Sequence, residues 1–294
     1  MDLKRASVYV ALSGQVLLSA GTYLVAKVAL PAFGPWTLLI LRFVIAAPAF
    51  VLLLALGPGP AWPRGIWSRP GELLALLCGP MNQLLFLAGL VWSTPTHAAL
   101  LYALTPIGVY VFARIRLNER PSPMKLAGIF VAFLGVALVL AAGYGPPGAA
   151  RSATLHGDLL ILSAVAVWVI YSVEGKRIAQ RDGAIQVAGW ASLMGLVLSI
   201  PVWPWLLPMP RLTAAPMNAW LGALYLGLLT SVLSYVLWYY ALRRLEASKV
   251  AVFANLQPVA TAVLARSIYG EAFDVKLLTG GALVLLGVFV TERG

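Results

Sequence analysis

The sequence predicts an all-α integral membrane protein: ten transmembrane helices in a 5+5 inverted-topology repeat, with the N and C termini both inside. Three observations carry this prediction: an apolar composition, the spacing of apolar runs, and a passage that recurs 152 positions later. Hydrophobic residues make up 61% of the chain and charged residues 11%, with a mean hydropathy of +0.89. A soluble domain carries about 25% charged residues. A chain of 294 residues this apolar cannot be hidden in one aqueous core, so its solvent is the lipid bilayer. The net charge of +11 does not mark a nucleic-acid binder, because the basic residues lie between apolar runs and not on one soluble face. The single cysteine, Cys78, excludes an intrachain disulfide and a cysteine metal site, and reads as a small hydrophobe.

A spanning helix needs about 20 apolar residues, because the hydrocarbon layer is about 30 Å thick. Ten runs meet that length: 7–29, 35–56, 71–91, 95–117, 122–142, 156–179, 183–206, 217–241, 246–268 and 273–291. The opening "MDLKR" and the run after it imitate a signal peptide, but no small-residue cleavage site follows, and the run is expected to be the first span. Helix-stopping chemistry fills the longer gaps: "GPGPAWPRG" at 57–65, "GYGPPGAARS" at 143–152 and "PWLLPMPRLTAAP" at 204–216. Trp36, Trp62, Trp67, Trp203, Trp205 and Trp220 sit at span ends and read as an interfacial belt. With ten spans both termini share a side. Placing them in the cytoplasm puts fifteen Lys and Arg residues there and five outside, with Arg42 alone inside a span. That bias fixes the orientation.

Residues 86–139 align without a gap on 238–291. Leu104 falls on Leu256, Pro106 on Pro258, Ala113-Arg114 on Ala265-Arg266, Glu119 on Glu271, Gly128 on Gly280 and Gly135 on Gly287. The chain is thus read as two copies, 1–143 and 156–294, joined by a linker at 144–155. Five spans per copy is odd, so the second copy enters the membrane upside down. Inverted repeats of this kind mark secondary transporters, with a site near the midplane between the copies.

The run "FLAGLVWSTPTHAALLYALTPIGVYVFARIRLNERPSPMKLAGIFVAFLGVALVL" and its echo "LWYYALRRLEASKVAVFANLQPVATAVLARSIYGEAFDVKLLTGGALVLLGVFV" resemble the two EamA domains of the drug/metabolite transporter superfamily. The likeness covers 7–142 and 156–291. It implies a permease of the bacterial inner membrane that moves small metabolites, commonly exporting amino acids and related compounds. The first copy ends its fourth span in "LNE" where the second reads "YGE".

Polar groups at membrane depth are costly, so those present need a reason. Asn82 and Gln83 lie near the middle of the third span, and their repeat partners are Ser234 and Tyr235. Tyr102 and Thr105, with Asn255 and Gln257, flank Pro106 and Pro258 in the fourth and ninth spans. Each proline frees the carbonyl four residues back, of Tyr102 and of Ala254, making a polar centre or a pair of hinges. Helix–helix packing is the competing reading for these residues. Trp168 and Trp238 lie within spans, with Phe86, Tyr171, Trp190 and Tyr239, and offer rings for stacking or fill the core. Arg42 either forks onto a substrate carboxylate or snorkels to the outer face. Glu72 and Glu174 sit near cytoplasmic ends, and no acidic residue falls at the midplane, so no carboxylate proton relay is expected.

No phosphate loop or hydrolase triad is present, and His97 and His156 lack partners at metal-ligand spacing. The sequence thus predicts no cofactor, no metal and no catalytic residue. Gly14, Gly21, Gly128 and Gly135 read as close-packing positions. Two functional classes remain. One is a secondary carrier of small molecules, working by alternating access as a monomer or homodimer in the inner membrane. The other is a membrane-embedded enzyme, which the repeat and the lack of an interfacial titratable cluster disfavour. Within the carrier class, an amphipathic drug or lipid precursor is the alternative to an amino acid.

Overall fold

A computed structural model describes residues 3–63, 69–93, 95–141, 154–206, 209–269 and 275–294, and every regular element among them is helical. The helices are α1 (Leu3–Leu56), α2 (Pro70–Trp92), α3 (Pro95–Tyr102), α4 (Thr105–Leu117), α5 (Pro123–Ala141), α6 (Leu155–Arg181), α7 (Ala184–Ser199), α8 (Trp203–Leu206) and α9 (Met209–Ala214). There follow α10 (Met217–Leu224), a π-helix (Tyr225–Ser234), α11 (Tyr235–Leu242), α12 (Ala247–Val252), α13 (Leu256–Tyr269) and α14 (Val275–Arg293). Among the described residues, eight segments are long and apolar enough to cross a membrane. The runs expected at 122–142 and 273–291 form α5 and α14 of 19 residues each and fall outside that eight. Glu271, Arg64, Arg151 and most of the 144–155 linker lie outside the described residues.

Three breaks have local causes. The first two expected spans are two helices that meet at a kink at Gly34, whose φ of 73° and ψ of 166° only glycine adopts easily, just before Pro35. The expected fourth span divides between Tyr102 and Thr105, with Pro106 in the first turn of α4. The ninth divides at a 3₁₀ turn over Phe253–Asn255, just before Pro258. These two breaks fall at equivalent places in the two copies. Asn118 ends α4 in the left-handed region (φ 53°, ψ 34°). Asparagine tolerates that conformation, which accounts for "LNE" standing where glycine is usual.

The chain divides into two compact units, each drawing on both sequence copies. Unit 1 comprises Met1–Leu84 and Glu174–Arg244. Here α1 packs on α7, α10, the π-helix and α11, and Phe33, Leu38 and Leu41 meet Ala219, Ala223 and Leu226 in a buried cluster. Unit 2 comprises Leu85–Val173 and Leu245–Gly294. Its centre is the antiparallel pair of α5 and α14. A side chain on Gly135 would meet the Gly280 carbonyl oxygen and the Val284 nitrogen at 2.7 Å, and one on Gly287 the Gly128 carbonyl oxygen at 2.5 Å. Gly128 faces Gly287 and Gly135 faces Gly280, so exchanging the two copies maps the pairing onto itself.

Candidate functional site

In unit 1, Arg42 and Gln83, two residues singled out from sequence, bond to Ser231 on the π-helix and to Tyr235 just after it. Gln83, 7% exposed, donates from Nε2 to the Tyr235 hydroxyl at 3.2 Å. These two residues are repeat partners, so equivalent positions of the copies touch one another. Asn82 beside Gln83 is also buried, at 5% exposure. Arg42 does not extend along its stem towards water: its Nε donates to the Ser231 hydroxyl at 3.1 Å. Among the described residues no carboxylate pairs with Arg42. The amide oxygen Oε1 of Gln83 has no partner among the described residues either. Trp238 is fully enclosed, and Trp190 donates its indole N–H to the Ala61 carbonyl at 3.0 Å, so that ring anchors the segment after α1.

A ladder of short polar contacts that the sequence reading missed joins α1 to the same π-helix. Gln15 donates to Ser19 at 2.9 Å, and Ser19 meets Ser234 at 3.1 Å. Thr22 meets Thr230 at 2.9 Å, and the Tyr225 hydroxyl donates to the Leu18 carbonyl at 3.0 Å. Gln15, Ser19 and Thr22 recur every three to four residues, so their common face was legible as a helical stripe. Each such interhelical bond in a membrane contributes roughly 0.6 kcal/mol, enough in sum to hold the π-helix against α1. π-helices are rare and concentrate at functional places.

In unit 2 the expected residues gather at the two helix breaks. Asn255, 1% exposed, lies in the 3₁₀ turn, and Thr105, 1% exposed, opens α4; among the described residues neither the Asn255 Nδ2 nor the Thr105 hydroxyl has a partner. Gln257 is half-buried beside Pro258. Tyr102 stacks edge-on against Phe86 with centroids 5.3 Å apart. Trp168 lies 5.6 Å from Tyr171. Pro106 and Pro258 lie in the first turns of the helices that follow the breaks.

Charge organises the helix ends. Glu119, read from sequence as a mere helix end, accepts hydrogen bonds from the Ala247 and Ser248 backbone N–H groups and, at 2.8 Å, from the Ser248 hydroxyl. It caps α12, satisfying donors that a helix start leaves open and placing negative charge at the positive end. Buried Lys125 pairs with Glu246 beside it. In unit 1, Arg181 forks onto Glu72 at 2.7 and 2.9 Å, while Glu174 pairs with Arg177 at 3.4 Å. These partners of Glu119, Lys125 and Arg181 lie far along the chain and leave no mark in the sequence, whereas Glu174 and Arg177 are three residues apart on one helix and read as a paired helix end.

Comparison with known proteins adds a family. The profile of the EamA-like transporter family matches residues 6–141 and again 155–293. A probable terminal-alkyne amino-acid exporter of Streptantibioticus cattleyicolor is 30% identical over 95% of this chain and 91% of its own. A probable amino-acid metabolite efflux pump of Salmonella typhimurium is 27% identical over 92% and 90%. The uncharacterized transporter YyaM of Bacillus subtilis is 28% identical over 99% and 95%. A solved structure, titled only as a crystal structure of a protein, superposes with a TM-score of 0.80 at 22% identity, covering 98% of both chains, which speaks to the fold. Its apolar helices make this a multi-pass membrane protein, its relatives are transporters and not enzymes, and the chain belongs to the EamA-like transporter family.

Proposed function

We propose that this protein is a secondary carrier exporting amino acids or related carboxylate-bearing metabolites across the inner membrane. The observation that carries the reading is Arg42: a cation within a span, fixed by Ser231, with no carboxylate partner among the described residues. A guanidinium in that position matches the planar fork of a substrate carboxylate, and the alternative of leaving it unpaired is costly in a low-dielectric medium. Tyr235, bonded to Gln83, and Asn82 on the same span as Gln83 supply further polar groups in this reading. Tyr102, Trp168, Trp238, Asn255 and Gln257 complete the substrate set in this reading. Two relatives with amino-acid exporter or efflux names point the same way.

In this account ten spans form a 5+5 inverted repeat of residues 1–143 and 156–294, with both termini in the cytoplasm. The self-mapping glycine pairs of α5 and α14 and the contact between Gln83 and Tyr235 support the inversion. Alternating access then exposes a central cavity between the copies to each side in turn, with Pro106 and Pro258 as hinges.

Export is tested by tolerance. Bacterial cells expressing the protein are expected to grow at several-fold higher concentrations of toxic amino-acid analogues than cells carrying an empty vector. Equal sensitivity across a panel of acidic, aromatic and aliphatic analogues, with the protein present in the membrane, would count against amino-acid export. Selective tolerance of amphipathic drugs would favour that alternative substrate class.

A further inference from the structure

Ser231 lies 3% exposed on the π-helix, and its hydroxyl stands between two groups. It donates to the Leu226 carbonyl oxygen five residues back at 2.9 Å and receives the Arg42 Nε–H at 3.1 Å. A serine hydroxyl has one proton, so giving it to Leu226 leaves the oxygen only as an acceptor for Arg42. We infer that Ser231, held by the π-helical turn, is a positioning residue that aims the Arg42 fork and thereby sets a preference for a substrate carboxylate over its uncharged amide. The inference rests on the reading of Arg42 as the carboxylate-binding group.

The geometry gives the reason. A guanidinium can meet a carboxylate side-on through Nε and one Nη, or end-on through both Nη groups. With Nε taken by Ser231, the side-on mode is closed and the end-on pair is presented. Gly227 makes room for the Ile45 side chain, three residues after Arg42. A side chain there would fall 2.5 Å from Ile45 Cγ2 and 3.6 Å from the Arg42 carbonyl oxygen. The Arg42 oxygen is at ordinary contact distance, and it is the Ile45 side chain that a residue larger than glycine would displace. The five-residue turn matters because the hydroxyl is committed to the Leu226 carbonyl, which freezes the rotamer that receives Arg42. Rotational freedom at Ser231 would spread the guanidinium over several orientations and blur its discrimination between an anion and a neutral amide.

The test uses purified protein in liposomes of phosphatidylethanolamine and phosphatidylglycerol, preloaded with unlabelled amino acids and offered a labelled mixture of the twenty. Unlabelled pools of amino acids and of amino-acid amides serve as competitors. Ser231→Ala is expected to weaken competition by the acids about tenfold, the worth of one hydrogen bond to a charged group, and to cut the acid-over-amide preference by a similar factor. Ser231→Thr, which keeps the hydroxyl, is expected to restore both. Ser231→Cys, nearly isosteric and a poor acceptor, replaces the alanine variant should that variant fail to assemble. Lower uptake with the acid-over-amide preference intact would assign Ser231 a packing role and overturn the inference alone. Loss of the preference in Arg42→Ala but not in Ser231→Ala or Ser231→Cys would do the same while leaving the Arg42 reading standing. A preference that survives Arg42→Ala, or an absence of uptake by the unaltered protein, removes the Arg42 reading and this inference with it.

Discussion

Replacing Arg42 by alanine is expected to reduce exchange of a carboxylate substrate by at least about thirtyfold in transport efficiency. Truncating one partner of a buried, hydrogen-bonded charge pair costs about 2–5 kcal/mol, and each 1.4 kcal/mol is about tenfold. The variant should still assemble, because Arg42 makes its contact to Ser231 and no carboxylate pair is left broken behind it. Arg42→Lys should recover only part of the loss, since an ammonium is a point charge without a fork. Transport assays on both variants, with assembly checked by size-exclusion chromatography, provide the comparison. Undiminished exchange by Arg42→Ala would show that the arginine serves packing.

The second large effect concerns assembly. Gly135→Leu is expected to lower the thermal stability of the detergent-solubilised protein strongly or abolish its expression. A side chain at Gly135 meets backbone atoms of Gly280 and Val284 at 2.7 Å, and backbone cannot turn aside as a side chain can. Overpacking in a dense interior costs about 1–3 kcal/mol even where side chains yield, so a backbone clash lies at or above that range. Gly71→Leu, at a glycine with open space around it, is the matched control and should leave stability unchanged. A fluorescence melting profile of each variant reads the difference, and equal stability of the two would contradict the close α5–α14 pairing.

How much of this was legible before folding depends on the range of the interaction. The apolar runs became helices because burial of backbone hydrogen bonds is a local demand of the bilayer. The breaks at 103–104 and 253–255 were written in Pro106 and Pro258, and the glycine pairs in the recurrence of Gly128 and Gly135 as Gly280 and Gly287. The break at Gly34 was legible as well, since it falls in the gap between the expected spans 7–29 and 35–56 and just before Pro35. The π-helix left no compositional mark: "YLGLLTSVLS" reads as an ordinary apolar helix. Ser231 was missed for the same reason, as an isolated serine in a span reads as glue between helices. Glu119 was seen as a helix end, but its role depends on α12, which begins 128 residues later. Gln83 and Tyr235 were recognised as equivalents, yet their contact follows only from how the two copies fold together.

The central claim is that the protein exchanges amino acids, and counterflow tests it most directly. Purified protein in liposomes is preloaded with a mixture of amino acids and offered each amino acid labelled outside, with no ion gradient imposed. The account predicts saturable uptake of at least one amino acid, stimulated by the preloaded mixture and lost in Arg42→Ala. Folded protein that takes up no amino acid, while transporting an amphipathic drug or lipid precursor under the same conditions, would contradict it.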